Sequence, residues 1–283
     1  MTLLELIGDT EKQFRAARLH YGHGTHNARD EAAFLVLRSL RLPFEDPPLE
    51  KVLPPKAVKQ IGSLIRKRIE KRIPVAYLLN EAWLADHSFY VDRRVIIPRS
   101  HIAELLKRKL QPWLQRPVRR VLDLCTGSGC LAILAAHAFP QARVDATDLS
   151  KSALAVAKKN VAKYRLDKRV RLIRSDLFGS LEGGRYDLIV TNPPYVSAAA
   201  MRKLPPEYRH EPGMALAGGQ DGLALVKKIL REAEGRLNAG GLLVCEIGDG
   251  RKALERANPK PDFLWPETAA GAGHVFVLQA PWR

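Results

Sequence analysis

From about residue 101 the chain alternates short apolar, β-prone runs with helical segments, and that rhythm leaves few folds open. Residues 118–124, 142–146, 170–173, 188–190, 242–247 and 274–278 read as strands. Residues 129–139 and 151–164 read as the first helices between them. Strands alternating with helices demand right-handed crossovers and a mostly parallel sheet covered on both faces. In such a sheet, ligands sit beyond the carboxyl ends of the strands. The expected class is therefore α/β, with the sheet confined to residues 101–283. Residues 1–80 read as a helical domain. Asn27 is placed to cap a helix with Asp30 in its first turn, and residues 55–72 form a second helix that must stop before Pro74. Residues 82–98 carry period-two alternation with a turn near Asp92-Arg93, so 81–100 is expected to be a β-hairpin connector.

Composition narrows the class further. No apolar run approaches the ~18 residues of a membrane span, so no membrane partner is expected. Met1-Thr2-Leu3-Leu4-Glu5 has neither a basic nor a long apolar stretch of the kind that begins a secretory signal. Three cysteines (Cys125, Cys130, Cys245) form no C-x-x-C pair and suit buried positions in a reducing, cytoplasmic setting. No metal set is expected; His20, His23 and His26 cluster in sequence, with no cysteine near them. Of a net charge of +16, residues 51–120 supply an excess of 12, with 17 Lys/Arg against 5 Asp/Glu. Lys56, Lys59, Arg66, Lys67, Arg68, Lys71 and Arg72 share one expected helix. A solvated basic face and a nucleic-acid contact both satisfy that density.

The first strand ends in Asp123-Leu124-Cys125-Thr126-Gly127-Ser128-Gly129-Cys130-Leu131-Ala132. Gly127, Gly129 and Ala132 satisfy G-x-G-x-x-G/A, with Asp148 at the end of the second strand, and a dinucleotide must be weighed. Asp123, however, sets a carboxylate inside the strand where a pyrophosphate would be repelled. Asp176, after the third strand, adds an acceptor suited to an adenine amine. Acids at three successive strand ends fit cationic S-adenosylmethionine better, with Asp123, Thr126, Gly127, Gly129, Asp148, Asp176 and Asn192 as its candidate ligands.

The fourth strand, Tyr186-Asp187-Leu188-Ile189-Val190, runs into Thr191-Asn192-Pro193-Pro194-Tyr195. The Asn192 oxygen and a proline carbonyl can both accept from a planar –NH2 group, and the Tyr195 ring can pack on its face. Two prolines fix φ near −65° and set these acceptors in place beforehand. An ordinary Asn-Pro turn is the alternative use of such a dipeptide.

On these motifs the chain resembles the bacterial protein-glutamine methyltransferases, the HemK-like family. The resemblance rests on Asp123–Gly129, Asp148, Asp176 and Asn192–Tyr195, on Ile97-Pro98-Arg99, and on Glu211-Pro212 with Ala215-Leu216-Ala217-Gly218-Gly219-Gln220-Asp221-Gly222-Leu223. It implies a Rossmann-like, seven-stranded methyltransferase domain at 101–283, a helical substrate-recognition domain at 1–80 and a hairpin connector. It also implies methyl transfer from S-adenosylmethionine to a glutamine side-chain amide nitrogen. Asn192, Pro193 and Tyr195 take the catalytic roles, and Pro194 and Arg99 join them in binding substrate. Pro98-Arg99-Ser100-x-Ile102-x-Glu104-Leu105 and Tyr21-Gly22-His23-Gly24-Thr25 resemble the branch acting on large-subunit ribosomal protein three, although His26 stands where that branch carries an acid. A ribosomal-protein substrate follows, with ribosomal RNA or an assembling subunit as a partner for the basic region. Release-factor methylation and methylation of a nucleic-acid adenine, which would need base flipping, remain the alternatives.

Overall fold

The structure, a computed structural model, describes residues 1–282. The N-terminal segment folds into four helices: α1 (Leu3–Ala16), α2 (Ala28–Ser39), α3 (Pro55–Lys71) and α4 (Val75–Leu79). Their starts follow local chemistry. Thr2 and Glu5 form a reciprocal capping box on α1, and Asn27 accepts from the Asp30 amide at 2.9 Å to open α2. Pro55 occupies the first turn of α3, where its missing N–H costs nothing. That helix ends at Arg72 in the left-handed region (φ 54°). Leu3, Phe14, Ala32, Leu35, Ile61 and Ile65 give these helices a core of their own.

A short hairpin follows, β1 (Ala82–Leu84) and β2 (His87–Phe89). Its turn lies at Ala85-Asp86, not at Asp92-Arg93. Both turn residues have positive φ (48° and 64°), the mirror-image turn whose twist matches a two-residue hairpin. Asp92 instead accepts from the Arg94 amide at 3.1 Å and closes a second, separate turn. The sequence signal failed here because neither Ala85 nor Asp86 is glycine.

The larger, C-terminal part comprises α5 (Ile102–Lys107), β3 (Arg120–Leu124), α6 (Cys130–Ala138), β4 (Arg143–Asp148), α7 (Lys151–Lys163), β5 (Val170–Arg174), β6 (Tyr186–Thr191), α8 (Ala198–Met201), α9 (Ala224–Ala233), β7 (Leu237–Glu246) and α10 (Arg251–Ala257). It closes with β8 (Glu267–Thr268), β9 (Gly271–Ala272) and β10 (Val275–Gln279). One sheet runs β10-β7-β6-β3-β4-β5, parallel except for β10 against β7. β6 is buried along its whole length, as helices on both faces require. Val121, Leu188 and Val190 pack toward α5 and α6, while Leu122, Leu124 and Ile189 pack toward α9.

Among the described residues that sheet has six strands, where the family resemblance implied seven. The edge beyond β10 is reduced to one antiparallel bridge, Leu264 to Val277. Pro261 and Pro266 flank Leu264 and cannot donate to a ladder, so the pairing stops there. β8 and β9 pair only with each other. No helix among the described residues is long and apolar enough to cross a membrane.

The register places the site. Leu124 lies opposite both Thr147 and Thr191, so the loops after β3, β4 and β6 leave the sheet at one level. The chain order reverses between β3 and β6, which opens a crevice between their loops.

Candidate functional site

Two cavities meet above that crevice. The larger, about 320 Å3, is lined by Gly127, Asp148, Asp176, Asn192 and Pro194, with Met214 and Leu225 on its apolar side. The smaller, about 180 Å3, is lined by Arg99, Asn192, Pro193, Tyr195, Tyr208 and Leu216. Asn192, Ile96 and Ala215 belong to both walls. A side chain in the small cavity and a ligand in the large one would therefore face each other across Asn192.

The loop after β3 is built by backbone conformations that favour glycine. Gly127 (φ 54°) and Gly129 (φ 81°) both lie in the left-handed region. A Cβ on Gly129 would sit 3.2 Å from the Ala157 Cβ of α7, whereas one on Gly127 would meet only the Cys125 carbonyl, 4.0 Å away. Gly129 is thus favoured by both its φ and its close packing on α7, and Gly127 leaves its backbone bare to the cavity. Asp148 receives the Gly127 amide at 2.9 Å and the Ser150 amide at 2.8 Å. Burial raises its pKa, which those amides partly offset. Each oxygen keeps a second acceptor site. Asp176 is exposed at the rim.

The structure gives Asp123 a different position from the one its motif suggests. Asp123 and Thr126 are buried and line neither cavity. One Asp123 oxygen accepts from the Thr126 hydroxyl at 2.6 Å and the Ala132 amide at 2.9 Å, which fastens the glycine loop to α6. The other is buried with no partner. Burial pushes the carboxyl up to about 7, so above that pH the fold carries an uncompensated negative charge. A carboxyl whose pKa rises on folding costs stability as pH climbs from its unfolded value near 4 through its folded one. Asp123→Asn is therefore expected to be more stable than the parent at a pH of about 8, by up to about 4 kcal/mol, with the gap narrowing as pH falls toward about 4. Melting curves across that range check it.

Neither the Asn192 side chain nor the Pro193 carbonyl has a hydrogen-bond partner among the described residues. Their positions are nonetheless fixed by the segment after them. Val196 pairs in parallel with Ala217; the Val196 amide donates to Leu216 O and the Gly218 amide to Val196 O, each at 2.8 Å. A Cβ on Gly218 would lie 2.6 Å from the Tyr195 Cα, and one on Gly222 would lie 2.4 Å from the Tyr195 carbonyl. The glycine-rich stretch 215–223 is thus a brace that lies backbone to backbone on Pro194-Tyr195. Tyr195 donates its hydroxyl to Glu246 at 2.9 Å, and its ring edge abuts Gly248. Glu246 also accepts from Ser100 Oγ at 2.7 Å and from the His101 amide at 2.9 Å.

Arg99 lines the small cavity with its charge already committed. It donates twice to Glu211, at 2.6 and 2.7 Å, and its guanidinium lies over the Tyr208 ring. This pair holds the segment 206–211 that walls the cavity. The N-terminal helices hold the same segment from the other side. His23 is buried against Tyr208 with ring centroids 4.4 Å apart; burial lowers its pKa to about 4, so it is neutral at physiological pH. Glu207 accepts from the His20 amide at 3.0 Å and from Arg68 at 3.2 Å. Arg68, fully buried, also bonds Glu31. Sequence reading placed Arg68 on an exposed basic face and gave Glu207, Glu211, Tyr208 and Glu246 no role. Only the Glu211-Pro212 motif signalled any of them, because their partners lie far away in sequence.

A family model described as "Methyltransferase small domain" matches residues 103–204. The chain is 51% identical over 281 residues to the ribosomal protein uL3 glutamine methyltransferase of Bordetella pertussis, covering 98% of this chain and 94% of that one. It is 49% identical to the protein of the same name from Burkholderia pseudomallei, covering 99% and 94%. Among solved structures, a methyltransferase from Pyrococcus furiosus matches in fold with a TM-score of 0.51 at 20% identity, covering 78% of this chain and 97% of that one. With half its residues identical across nearly its whole length, the chain belongs to the family of ribosomal protein uL3 glutamine methyltransferases.

Proposed function

We propose that this enzyme transfers a methyl group from S-adenosylmethionine to the side-chain amide nitrogen of a glutamine in ribosomal protein uL3, in the cytoplasm. The observation that carries the reading is a pair of unpartnered acceptors: Asn192, which lines both adjoining cavities, and the carbonyl of Pro193, which lines the smaller. The residues around the large cavity fit the donor. Asp148 and Asp176 offer acceptors for hydroxyl and amine groups, and Gly127 leaves room above its backbone. S-adenosylmethionine supplies an electrophilic methyl group on a sulfonium centre.

The chain's own task is to make a poor nucleophile attack. An amide nitrogen is weak because its lone pair is delocalised into the carbonyl. Asn192 and Pro193 accept its two N–H bonds and turn the nitrogen toward the large cavity. Tyr195, fixed by Glu246, forms the wall beside the amide plane. Holding reactants in attack geometry is worth roughly 7–11 kcal/mol. The amide becomes acidic only as the methyl group arrives, so no general base is required beforehand.

Glutamate lacks the two donors and would face both acceptors unpaired, so a uL3 acceptor with Glu in place of the target Gln is expected to be methylated about 10⁴-fold less efficiently or worse. Incubation with labelled donor followed by peptide mass spectrometry tests the whole reading. It predicts one methyl on a uL3 glutamine, and label on a release factor or on nucleic acid instead would overturn it.

A further inference from the structure

Of the basic residues in segment 51–120, Arg68, Arg72, Arg94, Arg99, Lys107, Arg116 and Arg120 are held in ion pairs. Lys51, Arg108, Lys109 and Arg119 are exposed and unpaired but scattered; Lys56, Lys59, Arg66, Lys67 and Lys71 share one helix. All five are exposed, and none has a side-chain hydrogen bond or ion pair among the described residues. At about 100° per residue they fall within roughly 140° of one another on α3. Ile61, Ile65 and Arg68 occupy the opposite, buried side.

At the N-terminal end this arrangement works against the helix itself. Lys56 and Lys59 sit in its first turns, where the helix dipole favours acids, and no acid is present there. Lys67 and Lys71 are like charges four apart. Glu70, the sole acid on α3, is exposed on this same face and leaves it a net charge of +4. The face carries no large exposed apolar side chain, because Ile61 and Ile65 are buried, so it lacks the apolar stripe of a membrane-surface helix. From Lys56 to Lys71 it extends about 22 Å, long enough to follow several successive phosphates along one strand of a duplex. Its far side holds the segment walling the small cavity. His210 Nε2 lies 2.8 Å from the Lys71 carbonyl, and Arg68 reaches Glu207.

We propose that the exposed face of α3 is a docking surface for an RNA backbone, and that RNA bound there brings its associated protein to the acceptor cavity. That the RNA is ribosomal rests on the function proposed above; the binding itself does not.

The test is fluorescence anisotropy of the full chain with a short labelled RNA duplex over a range of salt. The parent is expected to bind with a steep salt slope. Replacing Lys56, Lys59, Arg66, Lys67 and Lys71 together by Ser is expected to flatten the slope by roughly 0.9 per lost phosphate contact, about 4 in all, and to weaken binding more than about tenfold at low salt. The single substitution Lys59→Ser is expected to flatten it by about 1. A control with Lys158, Lys168, Lys228, Lys252 and Lys260 changed to Ser loses the same charge and is expected to keep the parent's slope. Turnover on free uL3 should be unchanged in the α3 variant. An unaltered slope in that variant, an equal loss in the control, or tighter binding to phosphatidylserine vesicles than to RNA would overturn the proposal. Absence of uL3 methylation by the parent would overturn the function proposed above and leave the RNA result standing.

Discussion

Asn192→Ala is expected to lower kcat by about 10³-fold or more while leaving affinity for S-adenosylhomocysteine within a few-fold of the parent. The expectation follows from where the residue sits. It lines both cavities, yet its side chain takes no part in holding the loop after β6. That loop is braced by the pairing of Val196 with Ala217 and by Gly218 and Gly222 lying against Tyr195. Removing the carboxamide therefore deletes an acceptor without collapsing the site. Positioning of the kind it supplies belongs to the reacting complex, so the loss falls on kcat rather than on donor binding. Single-turnover rates and calorimetric titration of S-adenosylhomocysteine separate the two. A variant that turned over normally but bound the donor poorly would reverse the assignment.

The second large effect lies at the junction of the two halves. Arg68 is fully buried between Glu31 and Glu207, both also buried. Arg68→Ala would leave Glu31 without a cation and Glu207 with only Arg72, 3.5 Å away, and removing one partner of a buried ion pair typically costs roughly 3–5 kcal/mol. Burial already raises the Glu31 pKa despite Arg68, and loss of the guanidinium would raise it further. A carboxyl with a raised folded pKa binds protons more readily in the native state, so its penalty shrinks as pH falls. Urea unfolding at a pH of about 8 should show the full loss, and at a pH of about 5 a smaller one. Because Glu207 belongs to the segment that walls the acceptor cavity, the variant should also raise KM for the protein acceptor and leave donor affinity nearly unchanged. A loss independent of pH would mean that the carboxylates find other partners.

The parts of this molecule legible in its sequence are those whose causes are local. Strand–helix alternation, the Asn27 cap, the glycines after β3 and the Asn-Pro-Pro-Tyr loop each depend on residues within a few positions of one another. Gly127, Asp148, Asp176 and Asn192 were all readable in this way, and the structure gathers them at one cavity. Asp123 shows the limit. Its motif named the right loop, but whether its carboxylate lines the cavity or supports it depends on the Thr126 hydroxyl and the Ala132 amide, a choice made by three-dimensional packing. The clamp on the acceptor segment was hidden for a related reason. Arg68 and Glu207 are 139 positions apart, and Arg99 and Glu211 are 112. A charge in a basic stretch gives no sign of which side of its helix will be buried. The hairpin turn and the missing seventh strand were lost to weaker local signals, a turn without glycine and an edge interrupted by prolines.

The central claim is that Asn192 and the Pro193 carbonyl together grip a glutamine carboxamide between the two cavities. A crystal structure with S-adenosylhomocysteine and a glutamine peptide from uL3 tests it most directly. The account predicts the side-chain nitrogen within hydrogen-bond distance, about 3 Å, of both the Asn192 oxygen and the Pro193 carbonyl, with its free face toward the sulfur. A glutamine seated elsewhere, or one whose nitrogen is turned away with its carbonyl against those two acceptors, would contradict it.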